Sequence, residues 1–263
     1  MTYKSQTVSA IVITENNADT LERALSSLHW VDEIVVVDRG SADQTLAIAR
    51  GFTDKVHFHP SKSFNIVKRD ALSLGKSDWM LFIEPDEWIE EMLRHEIDGI
   101  MLNMPANMNG YTIPRQLKFQ NQMIKTLIGE DQARCLRLVR KGHWEVGNDW
   151  GAVLKAGGDV GKLDRPIGYA PYKTVEELFA DINRHSTLAA YRQLESQGNN
   201  GKNVSSFGMI WQTKMAAYHQ FFLKGGMFKG MVGVIIAMAN TMNVFLKLAK
   251  MRSLVRTLTQ KQL

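Results

Sequence analysis

Trp79-Met80-Leu81-Phe82-Ile83-Glu84-Pro85-Asp86-Glu87 is the stretch from which the fold can be read. Five apolar residues run directly into three carboxylates. An apolar run of this length and bulk predicts a strand buried on both faces. The carboxylates then emerge at its carboxyl end, where open α/β sheets place their ligands. Glu84 and Asp86 are two apart, so an extended segment would point both to one side. Pro85 between them lacks an N–H and suits a strand that is stopping. Two same-side carboxylates repel unless a positive group lies between them, and a divalent cation with oxygen ligands meets that need. The competing reading is that Asp86 and Glu87 open a helix over residues 87–95, near its positive N-terminus.

Working outward, Val8 to Thr14 has the same buried-strand pattern. A polar turn follows, with Asp19 a candidate N-cap, and Leu21, Ala24, Leu25 and Leu28 have the spacing of an amphipathic helix. A second strand over residues 32–37 ends at Asp38-Arg39-Gly40-Ser41-Ala42-Asp43-Gln44-Thr45 and leads into a helix over 46–51. Val56-His57-Phe58 reads as a short strand, 65–74 as a helix and 78–83 as the central strand. Strands alternating with helices predict a parallel sheet covered on both faces. Neither GxGxxG nor GxxxxGK[ST] occurs, which excludes the dinucleotide fingerprint and the P-loop. Any phosphates must therefore be met by a metal and basic side chains. Lys68 and Arg69, on the helix before the central strand, are candidates for that role or for a solvated helix face. Asp38, at a strand's carboxyl end, is placed to bond a ribose or base.

The 263 residues suffice for one large domain or a domain with an appendage. The single cysteine, Cys135, excludes an intrachain disulfide and suits a reducing compartment. The apolar run near the N-terminus is short and strand-like, so no signal peptide is expected. The net charge of +5 is unevenly spread: residues 196–263 hold nine of the 32 Lys/Arg and none of the 27 Asp/Glu. Such asymmetry points to a polyanionic partner, an anionic membrane or a nucleic acid.

Residues 176–195 read as a helix with a capping box at Thr174 and Glu177. Further helices are expected over 207–223 and 230–258. The apolar run 231–246 contains Asn240, Thr241 and Asn243, and is too short and polar to span a bilayer comfortably. It is flanked by Lys224, Lys229, Lys247, Lys250 and Arg252. Apolar helices rimmed by cations favour lying on an anionic bilayer. Nucleic acid is not expected as the partner, because it would give the apolar faces no role.

The segments VSAIVITENN, EIVVVDRGSADQT, KRDAL, SDWMLFIEPDE, CLRLVRKG, GGMFKGMVGV and FLKLAKM occur in the order and spacing of a known family. The chain resembles family 2 glycosyltransferases of the GT-A fold, and among them bacterial lipopolysaccharide inner-core enzymes. The resemblance implies an α/β fold with a Rossmann-like, mostly parallel sheet and a helical C-terminal extension. It implies a transferase domain over 1–173, with a nucleotide-sugar half (1–125) and an acceptor half (126–173). A basic, helical membrane-surface region would then cover 174–263. It also implies a nucleotide-sugar donor, a lipid-linked saccharide acceptor, Mg²⁺ or Mn²⁺ and an inverting reaction at the cytoplasmic face of a bacterial inner membrane.

Carried over residue by residue, Asp38 matches the aspartate that binds base or ribose, and Thr14 and Asn16 join the donor-binding set. Lys68 and Arg69 match a basic pair, and Asp86 matches the last aspartate of a D-x-D metal motif. Glu84 stands where the first Asp of that motif is usual, and it could reach a metal directly or through water. Glu15, Asn17 and Asp70 also depart from the family pattern. Around Gly142 to Gly151 relatives carry a His-Glu pair that this chain lacks in that form. Asp149 is the first candidate for the general base and Glu145 the second. Glu130 and Asp131 are candidate partners for Arg134 and Arg137. His143 is a candidate phosphate or metal contact or a structural histidine, and Trp144 and Trp150 are candidates for sugar stacking or core.

Overall fold

The computed structural model describes residues 6–120, 122–124, 134–147, 154–196 and 205–260. The chain forms two compact units: Met1–Leu117 with Asp131–Pro171, and Lys118–Glu130 with Tyr172–Leu263.

The first unit opens with β1 (Val8–Thr14), α1 (Ala18–Ser26), β2 (Glu33–Asp38), α2 (Thr45–Arg50), β3 (Val56–Phe58), α3 (Phe64–Leu74) and β4 (Trp79–Ile83). It continues through β5 (Glu87–Trp88), α4 (Glu91–Leu102) and β6 (Met108–Phe119), whose last residues pass into the second unit as β7 (Gln122–Ile124) follows. The chain then returns as β8 (Arg134–Arg140), β9 (Trp144–Val146), β10 (Leu154–Ala156), β11 (Asp159–Lys162) and β12 (Ile167–Tyr169). The main sheet runs β3-β2-β1-β4-β8-β6-β12-β5. Its first four strands are parallel, as the strand–helix alternation requires. β8 runs antiparallel between β4 and β6. β9 and β10 form a separate antiparallel pair.

Strand alternation explains why β4 is apolar throughout. Trp79, Leu81 and Ile83 join a core layer with Leu21 and Leu25 of α1 and Leu93 and Ile97 of α4. Met80 and Phe82 join the opposite layer with Val67, Ala71 and Leu72 of α3. All five residues of β4 are buried, so the strand is central and covered on both faces. Truncating Phe82 to Ala would cost roughly 3–5 kcal/mol through the cavity it leaves.

The expected α/β fold, with a mostly parallel sheet and a helical C-terminal part, is thus present. Details differ. The helix expected from Glu87 begins at Glu91, because Glu87 and Trp88 pair with β12 instead. The first helix starts at Ala18 with Asn17 at its N-cap, so Asp19 lies inside the first turn.

The second unit contains α5 (Val175–Ser196), α6 (Ser206–Tyr218), a π-helical turn His219–Leu223, a 3-10 turn Gly226–Phe228 and α7 (Gly230–Gln260). Thr174 Oγ1 accepts the Glu177 amide at 3.2 Å, while Glu177 reaches back to the Lys173 amide at 2.6 Å, one residue further than a capping box requires. Ala190 of α5 packs with Leu248 and Met251 of α7. The expected length of the last apolar run needs correction. The helix does not lose its apolar character at Lys247 but continues through Leu248, Met251 and Leu254. By length and composition the stretch Gly230–Arg256 is sufficient to cross a membrane, so shortness does not separate lying from crossing.

Candidate active site

Three strand ends meet at one edge of the sheet. The β1–β2 register sets Thr14 beside Asp38, and the β1–β4 register sets Val12 beside Ile83, one residue before Glu84. The carboxyl ends of parallel strands are where this topology leaves room for a ligand.

At the first of these ends, two loops are tied together by side chains. Asp38 is buried and accepts hydrogen bonds from the Gly40 and Ser41 amides at 2.9 and 3.0 Å and from Ser41 Oγ at 2.5 Å. Ser41 Oγ accepts the Asn16 amide, and Asn16 Oδ1 accepts the Ala42 amide, each at 2.9 Å. Asn16 has φ 54°, a left-handed conformation that asparagine tolerates. Thr14 Oγ1 donates to Asn17 Oδ1 at 3.0 Å. Thr14, Asn16 and Asp38 therefore sit together, and each helps to shape the loop. A carboxylate oxygen accepts more than one bond, so a ligand contact at Asp38 can be added to the loop contacts.

At the end of β4 the chain turns instead of remaining extended. The Glu87 amide donates to the Glu84 carbonyl at 2.9 Å, closing a turn over Pro85 and Asp86, and the Glu84 amide donates to Glu87 Oε2 at 2.9 Å. The same-side argument for Glu84 and Asp86 required an extended segment and does not apply to this turn.

Two arginines from distant strands enter here. Arg137 of β8 approaches Glu84 Oε1 and Glu87 Oε1 at 2.7 Å each. Arg115 of β6 approaches Glu87 Oε1 at 2.9 Å and Glu84 Oε2 at 3.3 Å. Both arginines thus grip Glu84 and Glu87. Burial acts to raise Glu84, but Arg137 and Arg115 outweigh it and hold the carboxyl at about 2. Asp86 behaves in the opposite way. Burial, then the charges of Glu84 and Glu87, push its carboxyl up to about 7. Tyr169 of β12 lies under the Arg115 guanidinium, 3.7 Å from ring centroid to Cζ, and burial pushes its phenol up.

The Lys68–Arg69 pair divides. Lys68 is buried with Nζ 4.2 Å from the Phe82 ring centroid, and burial followed by Arg137 lowers it to about 8. Arg69 is exposed. Asp70 pairs with His59 at 2.9 Å.

Of the two candidate bases, Glu145 is exposed on β9, and Asp149 lies outside the described residues. Trp150, Glu130 and Asp131 lie outside them too. Arg134 donates to the Thr112 and Leu163 carbonyls, at 3.2 and 2.6 Å. His143 is exposed, and Trp144 packs on the core layer beneath α3.

Sequence reasoning missed the roles of Arg115, Glu87 and Tyr169 and the Glu84–Glu87 grip of Arg137. The only sequence signal was a charged residue recurring inside otherwise buried strands. As to a metal, no group of three His, Cys, Asp or Glu among the described residues is placed to hold one. The donor set that remains is Asp86, since both oxygens of Glu84 face arginines. A single carboxylate fits a cation that takes its other ligands from water and substrate phosphates, the usual habit of Mg²⁺.

Known proteins resemble this chain in sequence over part or most of its length. The sequence pattern of Glycosyl transferase family 2 matches residues 9–126. An uncharacterized glycosyltransferase of Rickettsia bellii is 28% identical over 260 residues, covering 94% of this chain and 86% of the relative. The lipopolysaccharide core biosynthesis glycosyltransferase LpsC of Rhizobium meliloti is 27% identical over 259 residues, covering 92% and 91%. Among solved structures, glucosyl-3-phosphoglycerate synthase of Mycobacterium tuberculosis is 19% identical over 44% of each chain, with a TM-score of 0.35. TarS of S. aureus is 15% identical over 97% of this chain and 92% of that one, with a TM-score of 0.43. Residues 9–126 thus resemble glycosyltransferase family 2, and they include the strands and loops that carry Thr14, Asp38, Glu84, Asp86 and Arg115.

Proposed function

We propose that this glycosyltransferase moves a sugar from a nucleotide-sugar donor to a lipid-linked saccharide, with the lipopolysaccharide core or a related surface glycan as acceptor class. The observation that carries the reading is Asp86. It is the one carboxylate of the β4 turn that the arginines leave to a ligand, and it stands at the carboxyl end of the central strand. Similarity to LpsC over nearly the whole chain supports the acceptor class.

In this reading Thr14, Asn16 and Asp38 bind the nucleoside end of the donor, and Lys68 and Arg69 address its diphosphate. Asp86 would hold Mg²⁺ or Mn²⁺ when the donor is bound. Such a cation neutralises the leaving group's charge. Glu84 acts on Asp86 through the turn and the arginines, which replaces direct metal ligation as its role. Inverting transfer needs a base on the face of the sugar opposite the leaving group, within hydrogen-bond reach of the acceptor hydroxyl. Asp149 is assigned that role, with Glu145 second. Residues 1–173 serve as the transferase domain and 174–263 as a membrane-surface region. The setting is the cytoplasmic face of a bacterial inner membrane, with peripheral attachment.

A panel of nucleotide sugars, scored by thermal shift with and without Mn²⁺, tests this reading. Ligands that bind the native state raise its midpoint by mass action. The expected result is a midpoint rise that needs both the donor and the cation, with slow release of nucleoside diphosphate. A chain that binds donors yet releases and transfers nothing across a wide acceptor panel is a non-catalytic relative.

A further inference from the structure

We propose that the corner between α6 and α7 is an insertion element that dips into an anionic lipid monolayer. This deepens the membrane part of the reading above and rests on it only for the acceptor's location. The corner carries five apolar side chains in the open: Phe222, Leu223 (67% exposed), Met227, Phe228 (81%) and Met231 (73%). They fall within ten residues of chain, at the turn of a helical hairpin. Lys224 and Lys229 lie among them.

The corner is a built shape. Gly226 and Gly233 are in such close contact that a Cβ on Gly233 would stand 2.4 Å from the Gly226 carbonyl oxygen. Gly225 and Gly230 take φ +67° and +70°, which glycine adopts without strain. Asn240 Nδ2 donates to Gln220 Oε1 at 3.2 Å across the hairpin. The fixed backbone therefore presents the apolar side chains outward, and their exposure is a property of the fold.

Charge decides which partner covers them. Residues 196–263 contain nine cations and no acid. A second copy docking by the same surface would bring like charge against like. An anionic lipid surface attracts the lysines and accepts the apolar side chains below its headgroups.

The test is flotation of the full chain with vesicles. Wild type should float with vesicles containing phosphatidylglycerol and remain behind with pure phosphatidylcholine. The double variant L223S/F228S should bind phosphatidylglycerol vesicles at least about tenfold more weakly. K224Q/K229Q should lose the preference for anionic over neutral vesicles, and M92S, an exposed apolar change on α4, should behave as wild type. Circular dichroism and sedimentation velocity establish that each variant is folded and report its oligomeric state. Wild type that fails to float, or L223S/F228S that floats equally well, overturns the proposal. So does a wild-type dimer that becomes monomeric in L223S/F228S, because the surface then belongs to a second copy. Nucleotide binding is measured on the same samples. Its loss with flotation intact would remove the transferase reading and leave the insertion element standing.

Discussion

Arg137 of β8 and Glu87 of β5 meet at 2.7 Å with both side chains buried, although fifty residues separate them in sequence. Arg115 and Glu84 complete a four-membered charge network under the Asp86 turn. Breaking a buried pair from one side leaves an uncompensated charge, at roughly 3–5 kcal/mol. Arg137→Met should therefore lower the melting midpoint by about 10 °C. Arg137→Lys should fall between wild type and Arg137→Met, because an ammonium retains the charge but lacks the planar fork. Equal midpoints for Arg137→Met and wild type would mean that the network carries no net stability.

Asp86 and Glu84 should separate in a binding assay. Asp86→Ala is expected to abolish the Mn²⁺-dependent part of nucleoside diphosphate binding. Glu84→Gln should weaken it less and should lower the melting midpoint, because Glu84 is an arginine partner. Mn²⁺-dependent binding that persists in Asp86→Ala would move the cation elsewhere. Asp38→Ala should reduce nucleotide binding with or without the cation, since it also releases the Gly40–Ser41 loop.

Much of this architecture could be read from local pattern. The apolar runs of β1, β2 and β4 and the spacing of α1 each identify an element without reference to the rest of the chain. The charge network could not be read in this way. Arg115 and Arg137 reach Glu84 only because β8 inserts antiparallel between β4 and β6, and no local period encodes that crossing. Glu87 was misread for a related reason. An acid at that place favours a helix N-terminus, but pairing with Tyr169 of β12 and burial against two arginines override the preference. The short strands β9 to β12, of three or four residues each, carry too few alternations to stand out from loops.

Glu33 predicts acid sensitivity remote from the site. Burial acts to raise its carboxyl, but Lys55 and Ser9, each at 2.5 Å, and the Lys76 amide at 2.8 Å hold it at about 2. A folded value below the unfolded one, about 4.3, contributes stability that is present above that value. The contribution is lost as pH falls from about 4.3 towards 2. It is on the order of 1–3 kcal/mol, discounted because Lys55 is about half exposed. Glu33→Gln should be less stable at neutral pH and should lose stability less steeply between about pH 5 and 2. Parallel curves for the two proteins over that range would show that Glu33 does not carry the effect.

The general base should show itself in turnover. Asp149→Asn is expected to retain donor binding and lose transfer, because a base acts on the acceptor in the transition state. If Asp149→Asn turns over normally and Glu145→Gln does not, the role passes to Glu145. Normal turnover in both would place the base on another residue.

Lys250 separates structural from surface cations in the C-terminal helices. Its sequence context groups it with Lys224, Lys229 and Lys247 as part of a basic rim. In the fold its Nζ instead lies against α5, where it donates to the Asn183 carbonyl at 2.5 Å and to Asn183 Oδ1, Ser186 Oγ and Thr187 Oγ1 at 2.7–2.8 Å. These contacts fix α7 to α5 beside the apolar cluster of Ala190, Leu248 and Met251. Hydrogen bonds from a charged donor are each worth about 1.5–3 kcal/mol, and the bonds here share one ammonium. Lys250→Met removes the donor but leaves four polar acceptors facing an apolar group. It should therefore cost about 2 kcal/mol or more, read as a lower urea midpoint with an unchanged slope. Vesicle binding by the folded fraction of Lys250→Met should match wild type, in contrast to K224Q/K229Q. If Lys250→Met retains its urea midpoint but loses affinity for anionic vesicles, Lys250 belongs to the lipid-facing rim, and the α5 contacts contribute nothing to holding the helices together.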